Sequence, residues 1–239
     1  MHTVIELTPD NDYTTREREF YNNNAKEMAQ GDHRHHDKNP DYQTFFISPF
    51  EKDTTDRDHL IGLDFACGTG RNVHNLLETG AFDRVDGVDI AEKIIEEADR
   101  LLTEKGHTRG KDFELFVNNG IDAEVLPKEF YDHAMSTIAL QHIPVYDIRF
   151  FILKSIFYSL KKGGTFTFQI GYGKGYGKSA YHDNCYEAQG FNTQHDVEVL
   201  DYKDVENDLK RIGFKKIKST VRDSFSDGHP KWLFVTCEK

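Results

Sequence analysis

The sequence predicts an α/β fold in which a doubly wound, mostly parallel sheet ends in an antiparallel hairpin. Three observations carry this. From residue 60 to 213 apolar strand-like runs alternate with helical stripes, the pattern of parallel strands joined by right-handed crossovers. The run Leu60-Ile61-Gly62-Leu63 breaks into the glycine-rich turn Ala66-Cys67-Gly68-Thr69-Gly70, and Val73, Leu76 and Leu77 then share one helical face. No apolar helix separates the last two strand-like runs, about 214–221 and 231–237, so these pair antiparallel.

Residues 1–58 are strongly polar. A helix opens near Tyr13 and runs towards Met28, the segment Gly31–Pro40 interrupts it, and Tyr42–Phe50 forms a second, aromatic element. Core strands follow near 60–65, 84–88, 113–117, 132–136 and 165–170, which with the hairpin makes a seven-stranded sheet. Ile94, Ile95, Ala98, Leu101 and Leu102 stripe the helix after the second strand. Ile148, Phe151, Ile152, Ile156 and Leu160 stripe the helix before the fifth, and Lys161-Lys162-Gly163 reads as its cationic last turn and C-cap. Val205, Leu209 and Ile212 line a later helix closed by Gly213. Residues 171–200 break the rhythm, beginning with Gly171-Tyr172-Gly173-Lys174-Gly175-Tyr176-Gly177-Lys178. An irregular stretch of this length is commonly functional; it reads as a substrate-binding insertion, or else as a solvated loop. The division is therefore an N-terminal helical lid or extension, 1–58, and one α/β domain, 59–239.

Composition narrows the class. The 239 residues suffice for one domain with its own core. No run of 18 apolar residues exists, so no membrane span is expected. The N-terminus lacks the basic-then-apolar pattern of a secretory signal, and Cys67, Cys185 and Cys237 show no C-x-x-C pairing; a cytoplasmic protein with reduced thiols is expected. A formal net charge of -11 disfavours nucleic acid as a partner.

The glycine turn points to a ligand. Without a Cβ, Gly68 and Gly70 let the backbone approach it closely, and the following helix offers free N–H groups. Nineteen residues after Gly70, Arg84-Val85-Asp86-Gly87-Val88 ends in Asp89, a carboxylate placed to hold both hydroxyls of a ribose. A nucleoside-containing cofactor is expected. The turn is not the G-x-G-x-x-G of dinucleotide folds.

Six segments in order resemble the class I, Rossmann-like S-adenosylmethionine (SAM) dependent methyltransferases. Asp64-Phe65-Ala66-Cys67-Gly68-Thr69-Gly70 is similar to their first motif, with Ala66 in place of its first glycine. Val85–Ile90 resembles the second, and Gly120-Ile121-Asp122-Ala123-Glu124-Val125-Leu126-Pro127 the G-D-A-x-x-L-P segment with one extra residue. Leu140-Gln141-His142-Ile143, Leu160–Thr165 and Leu209–Phe214 resemble three later segments. The resemblance implies SAM as cofactor, S-adenosylhomocysteine (SAH) as product, and an N-terminal lid. It implies cofactor contacts from Asp64, Ala66, Gly68, Gly70, Asp89, Ile90, Gly120, Ile121, Asp122 and Thr137, with Asp122 reaching the adenine.

The function read from this is methyl transfer to an O or N atom of a small molecule; the alternative is a SAM- or SAH-binding module acting as sensor or partner subunit. An oxygen acceptor needs its proton removed. His142, just after the fourth core strand, is the candidate base, since imidazole ordinarily titrates near about 6.5; His182 and His195 in the insertion are others. Tyr21, Gln141, Tyr172 and Tyr176 are the candidate acceptor contacts. Ser136-Thr137-Ile138-Ala139 differs from the N/D-P-P-Y/F tetrapeptide of DNA-base methylation. No metal is assigned: the run His33-Arg34-His35-His36-Asp37 lacks the spacing of a closed zinc site. Oligomeric state is not legible in these motifs.

Overall fold

A computed structural model of the chain describes residues 2–4, 7–31, 38–51, 59–174, 177–187, 196–224 and 229–239. In chain order the first elements are β1 (His2–Val4), α1 (Asp12–Gln30), α2 (Pro40–Tyr42), β2 (Leu60–Phe65), α3 (Arg71–Glu78), β3 (Phe82–Asp89), α4 (Glu92–Glu104) and β4 (Leu115–Val117). There follow β5 (Tyr131–Ser136), α5 (Tyr146–Ser159), β6 (Leu160–Tyr172), β7 (Gly177–Ala180), β8 (Cys185–Glu187), β9 (Asp196–Glu198), α6 (Tyr202–Ile212), β10 (Lys215–Asp223) and β11 (Lys231–Glu238). The main sheet has seven strands in the order β10-β11-β6-β5-β2-β3-β4. β3, β4, β5 and β6 run parallel to β2, and β11 lies antiparallel between β6 and β10. Strand order reverses between β2 and β5, and ligands of such sheets sit at the carboxyl ends there.

Both faces are covered because alternate side chains point to opposite faces. Leu63, Phe65, Ala134, Phe166 and Val235 pack against Ile148 and Ile152 of α5 and Leu209 of α6. Val85, Met135, Trp232 and Phe234 pack on the other face with Val73 and Leu76 of α3 and Ala98 and Leu102 of α4. The aromatic segment after α2 belongs to this second core: Phe45 stacks on Phe234 at 4.4 Å, and Phe50 meets Phe82 at 4.9 Å. Among the described residues no helix is long and apolar enough to cross a membrane.

Two expectations change. Lys161-Lys162-Gly163 does not close the preceding helix: α5 stops at Ser159, and Leu160 is already extended opposite Tyr131. Lys161 is held at the start of β6 by the Asp132 carboxylate of neighbouring β5, 2.8 and 2.9 Å from its Nζ. The apolar stripe extends through Leu160 because a buried strand start carries the same residue type as a buried helix turn. The stretch 171–200 also contains regular structure. β7 pairs parallel with β9, and β8 pairs antiparallel with β1. Arg149, fully buried on α5, anchors this insertion by donating to the Tyr181 carbonyl, with its guanidinium 4.5 Å from the Tyr181 ring.

The turn after β2 holds Ala66, Gly68 and Gly70 at positive φ (57°, 51° and 81°). Ala66 thus occupies the left-handed region that costs a Cβ-bearing residue about 1–2 kcal/mol, partly offset by its smaller unfolded-state entropy. Ala66→Gly should therefore raise stability by about 0.5–1 kcal/mol, read from the urea midpoint at constant slope; a lowered midpoint would show that the alanine methyl contributes packing instead.

Candidate active site

The first sheet crossover is fastened by one carboxylate. Asp89, at the end of β3 and 7% exposed, accepts from Gly68 N–H at 3.0 Å through Oδ2 and from Ile90 and Ala91 N–H at 2.8 and 3.2 Å through Oδ1. Burial nonetheless pushes its pKa up, against the pull of these donors. The turn packs tightly on β3: a Cβ at Gly87 would lie 2.8 Å from Cys67 Sγ. At Gly68 an added Cβ would meet nothing within 4 Å, so the turn presents bare backbone to open space.

That space is a cavity of about 180 Å³. Its floor comes from the carboxyl ends of the strands: Phe65, Ala66 and Gly68 after β2, Asp89 and Ile90 after β3, Asn118 and Gly120 after β4, Thr137 to Ala139 after β5. Tyr13, Glu17, Tyr21 and Met28 of α1, His142, and Ile94, Ile143, Ile148 and Ile152 complete the wall. α1 is held in place at both ends of this wall. Tyr13 Oη donates to the His142 carbonyl at 2.9 Å, and Asn22 Oδ1 accepts from Lys93 N–H at 2.9 Å in the first turn of α4.

His142 is oriented by an acid from the insertion. Its Nδ1 lies 2.6 Å from Asp196 Oδ1, and the other oxygen, Oδ2, lies 2.7 Å from Nε2 of buried His229. Hydrogen bonds from these two imidazoles, led by His142, hold the Asp196 carboxyl well below the usual carboxylate range despite burial. An ionised carboxylate only accepts, so Nδ1 of His142 carries a proton, and in the neutral imidazole Nε2 is the nitrogen with the lone pair. Glu17, half-buried on α1, is pushed up to about 7 by burial, with His142 pulling the other way and Asp196 adding to the rise.

Residues 63–164 match a family model described as a methyltransferase domain. This segment, under half of the chain, carries a SAM-dependent methyltransferase domain. An uncharacterized protein of Haemophilus influenzae is 32% identical over 106 residues, covering 44% of this chain and 40% of that protein. Among solved structures, Burkholderia thailandensis 1,6-didemethyltoxoflavin-N1-methyltransferase, with 1,6-didemethyltoxoflavin and SAH bound, has a TM-score of 0.67 at 18% identity, covering 95% of this chain and 89% of its own. Haemonchus contortus phosphoethanolamine N-methyltransferase 2, with phosphomonomethylethanolamine and SAH, has a TM-score of 0.60 at 16% identity, covering 84% of this chain and 52% of its own. At these identities the likeness is one of fold.

Within the methyltransferase domain and its N-terminal extension, the cavity brings together Ala66, Gly68, Asp89, Ile90, Gly120, Thr137, His142 and Tyr21 from the sequence reading. Other expected residues lie elsewhere. Asp64 is fully buried behind the turn, where Asn72 Nδ2 reaches its Oδ1 at 3.4 Å, and burial pushes its pKa up to about 7. Gly70 packs on Leu102 and Ala98. Asp122 caps its own loop, accepting from Asn119 Nδ2 and Glu124 N–H at 3.1 and 3.0 Å, and with Ile121 it lines a separate depression. Gln141 is buried beside His142, and Tyr172 lies at the end of β6 opposite Lys231; neither is in the wall. His182 sits 3.5 Å from Asp204. Tyr176, His195 and the His33–Asp37 run lie outside the described residues.

Sequence reasoning missed Glu17, Tyr13 and Asp196. Glu17 and Tyr13 lie four residues apart on one face of α1, a spacing visible beforehand; Asp196 gave no local signal. The domain holds protons on Glu17 and Asp64 that an unfolded chain has already released, so their stabilising contribution is complete below the ordinary carboxylate range and fades as pH rises through about 7. Glu17→Gln should therefore lose less stability than the parent between pH 5.5 and 8, measured as the urea midpoint at each pH. Parallel losses would show that Glu17 is ionised throughout that window.

Proposed function

We propose that this chain transfers a methyl group from SAM to an N–H or O–H group of a small molecule, with His142 as the general base. SAM supplies a methyl group bound to a sulfonium sulfur. The residues present fit its adenosyl half: Asp89 offers a carboxylate in the cavity wall, and the bare backbone at Gly68 leaves the room a side chain would fill. Ile90, Gly120 and Thr137 would complete its surroundings, while Tyr21 and Met28 supply an apolar, water-excluding face.

The observation that carries the reading is the Asp196–His142 pair at the edge of the same cavity. Asp196 fixes the imidazole so that Nε2 receives the acceptor's proton, and its charge stabilises the imidazolium that results. Holding the acceptor against the methyl donor supplies the larger part of the barrier reduction; proton removal adds roughly 10²–10⁴-fold. Glu17 faces the same space, and its carboxyl group favours an acceptor that brings an N–H or O–H donor to it. The two structural relatives with small acceptors bound support a small-molecule substrate here.

Two variants test the reading. Asp89→Ala should weaken SAH binding at least roughly tenfold in calorimetry, the loss expected when charge-assisted hydrogen bonds to the ligand are removed; unchanged affinity would place the cofactor elsewhere. His142→Ala should cut turnover by roughly 10²–10⁴-fold and leave SAH affinity nearly intact. Full activity in that variant would remove His142 from the reaction. Tight SAH binding by the parent without turnover on any acceptor of a broad amine, phenol and heterocycle panel would favour the sensor alternative.

A further inference from the structure

A second cluster of chemistry-bearing side chains lies away from the cavity, on the outer side of the helices that follow β2 and β3. His74 and Glu78 are one turn apart on α3, a spacing that places both on one face. His107 faces them from the end of α4. The ligand atoms of all three lie within 4.8 Å of one another, and His74 Nδ1 is 2.8 Å from His107 Nε2. We propose that His74, Glu78 and His107 bind a divalent transition-metal ion of the zinc type.

The backbone holds both sides of the cluster. His74 N–H donates to the Gly70 carbonyl at 3.0 Å, in the first turn of the helix. His107 sits at the end of a Schellman closure: Gly106, at φ +92°, donates to Thr103 O at 2.9 Å, and His107 N–H donates to Leu102 O at 3.1 Å. The two imidazoles therefore converge from fixed backbones, not from loose chain ends. Two histidines and one carboxylate are a donor set suited to zinc and its neighbours, with a fourth position left for water. Zn–N bonds of about 2.0–2.1 Å at a tetrahedral angle put the two nitrogens about 3.3 Å apart, so the nitrogens part by about half an ångström as the two rings turn from facing each other to facing a common ion.

Proton bookkeeping also permits it. A neutral His–His pair at 2.8 Å shares one proton between Nδ1 of His74 and Nε2 of His107. Moving that proton to the other nitrogen of its own ring frees both facing lone pairs for the metal, with no net proton loss. Both histidines are half-buried and Glu78 is exposed, so an ion has a path in from solvent, and the net charge of -11 favours its approach. The metal would clamp the middle and end of α3, through His74 and Glu78, to the turn that closes α4. The role is structural and stands independently of the methyl-transfer reading.

The test is zinc titration of the chelator-stripped full-length protein by calorimetry, with thermal denaturation in zinc and in chelator, and visible absorption of the cobalt(II) form. The expected result is one high-affinity equivalent, a higher Tm in zinc, and cobalt bands of a nitrogen-bearing site. His107→Gln should weaken that equivalent by roughly tenfold or more and remove the Tm rise. Glu78→Gln, a change at an exposed position that folding tolerates, should also weaken it. The triple change His33→Gln, His35→Gln and His36→Gln should leave it intact. Absence of a stoichiometric equivalent would overturn the proposal. So would an equivalent that survives His107→Gln and Glu78→Gln, or one that vanishes with the triple change.

Discussion

The architecture of the site depends on the Asp89 carboxylate. Three backbone N–H groups converge on it, one from the glycine turn after β2 and two from the chain leaving β3. It thereby ties the turn after β2 to the chain leaving β3. A buried acid is costly unless its oxygens are satisfied, and here the glycine turn supplies the Gly68 N–H that satisfies Oδ2. The same geometry leaves bare backbone beside the acid, so the hydrogen bonds that stabilise the turn also shape the cavity. Two non-glycine residues in its wall, Ala66 and Ile138, sit at positive φ, +57° and +55°. A β-branched residue in the left-handed region is unusual and persists where the surroundings over-determine it.

Around this fixed floor the remaining walls are assembled from distant parts of the chain. α1 contributes Tyr13, Glu17 and Tyr21, the segment after β5 contributes His142, and the insertion returns through β9 to supply Asp196. His229, from the connection between β10 and β11, takes the second oxygen of Asp196. Its placement needs a glycine opposite, because a Cβ at Gly171 would fall 2.2 Å from its Nδ1. The insertion is thus not merely a loop over the site. Arg149, Tyr181 and Asp208 tie it to α5 and α6, with Tyr181 Oη donating to Asp208 at 3.0 Å.

Much of the fold was legible because its signals are local. The alternation of strand and helix, the glycine turn and the acid ending β3 each reside in a short window, and each is where the sequence puts it. The start of β6 was misread because Leu160-Lys161-Lys162-Gly163 has the composition of a helix end; only the distant Asp132 carboxylate decides between the two. Asp122 was drawn into the site by its motif, yet its Oδ1 is engaged by Asn119 Nδ2 and Glu124 N–H within its own loop. Asp196 and the pairing of His74 with His107 were invisible for one reason: their partners lie 54 and 33 residues away, and no periodicity connects them.

The most direct measurement is a crystal structure of the full chain with SAH. The expected result is the ribose hydroxyls on the Asp89 carboxylate, the adenine bounded by Ile90 and Gly120, and the thioether sulfur facing His142 Nε2 across an open space. Density for the ligand outside this cavity, or ribose hydroxyls bonded to another group with Asp89 still closed on Gly68, Ile90 and Ala91 alone, would contradict it.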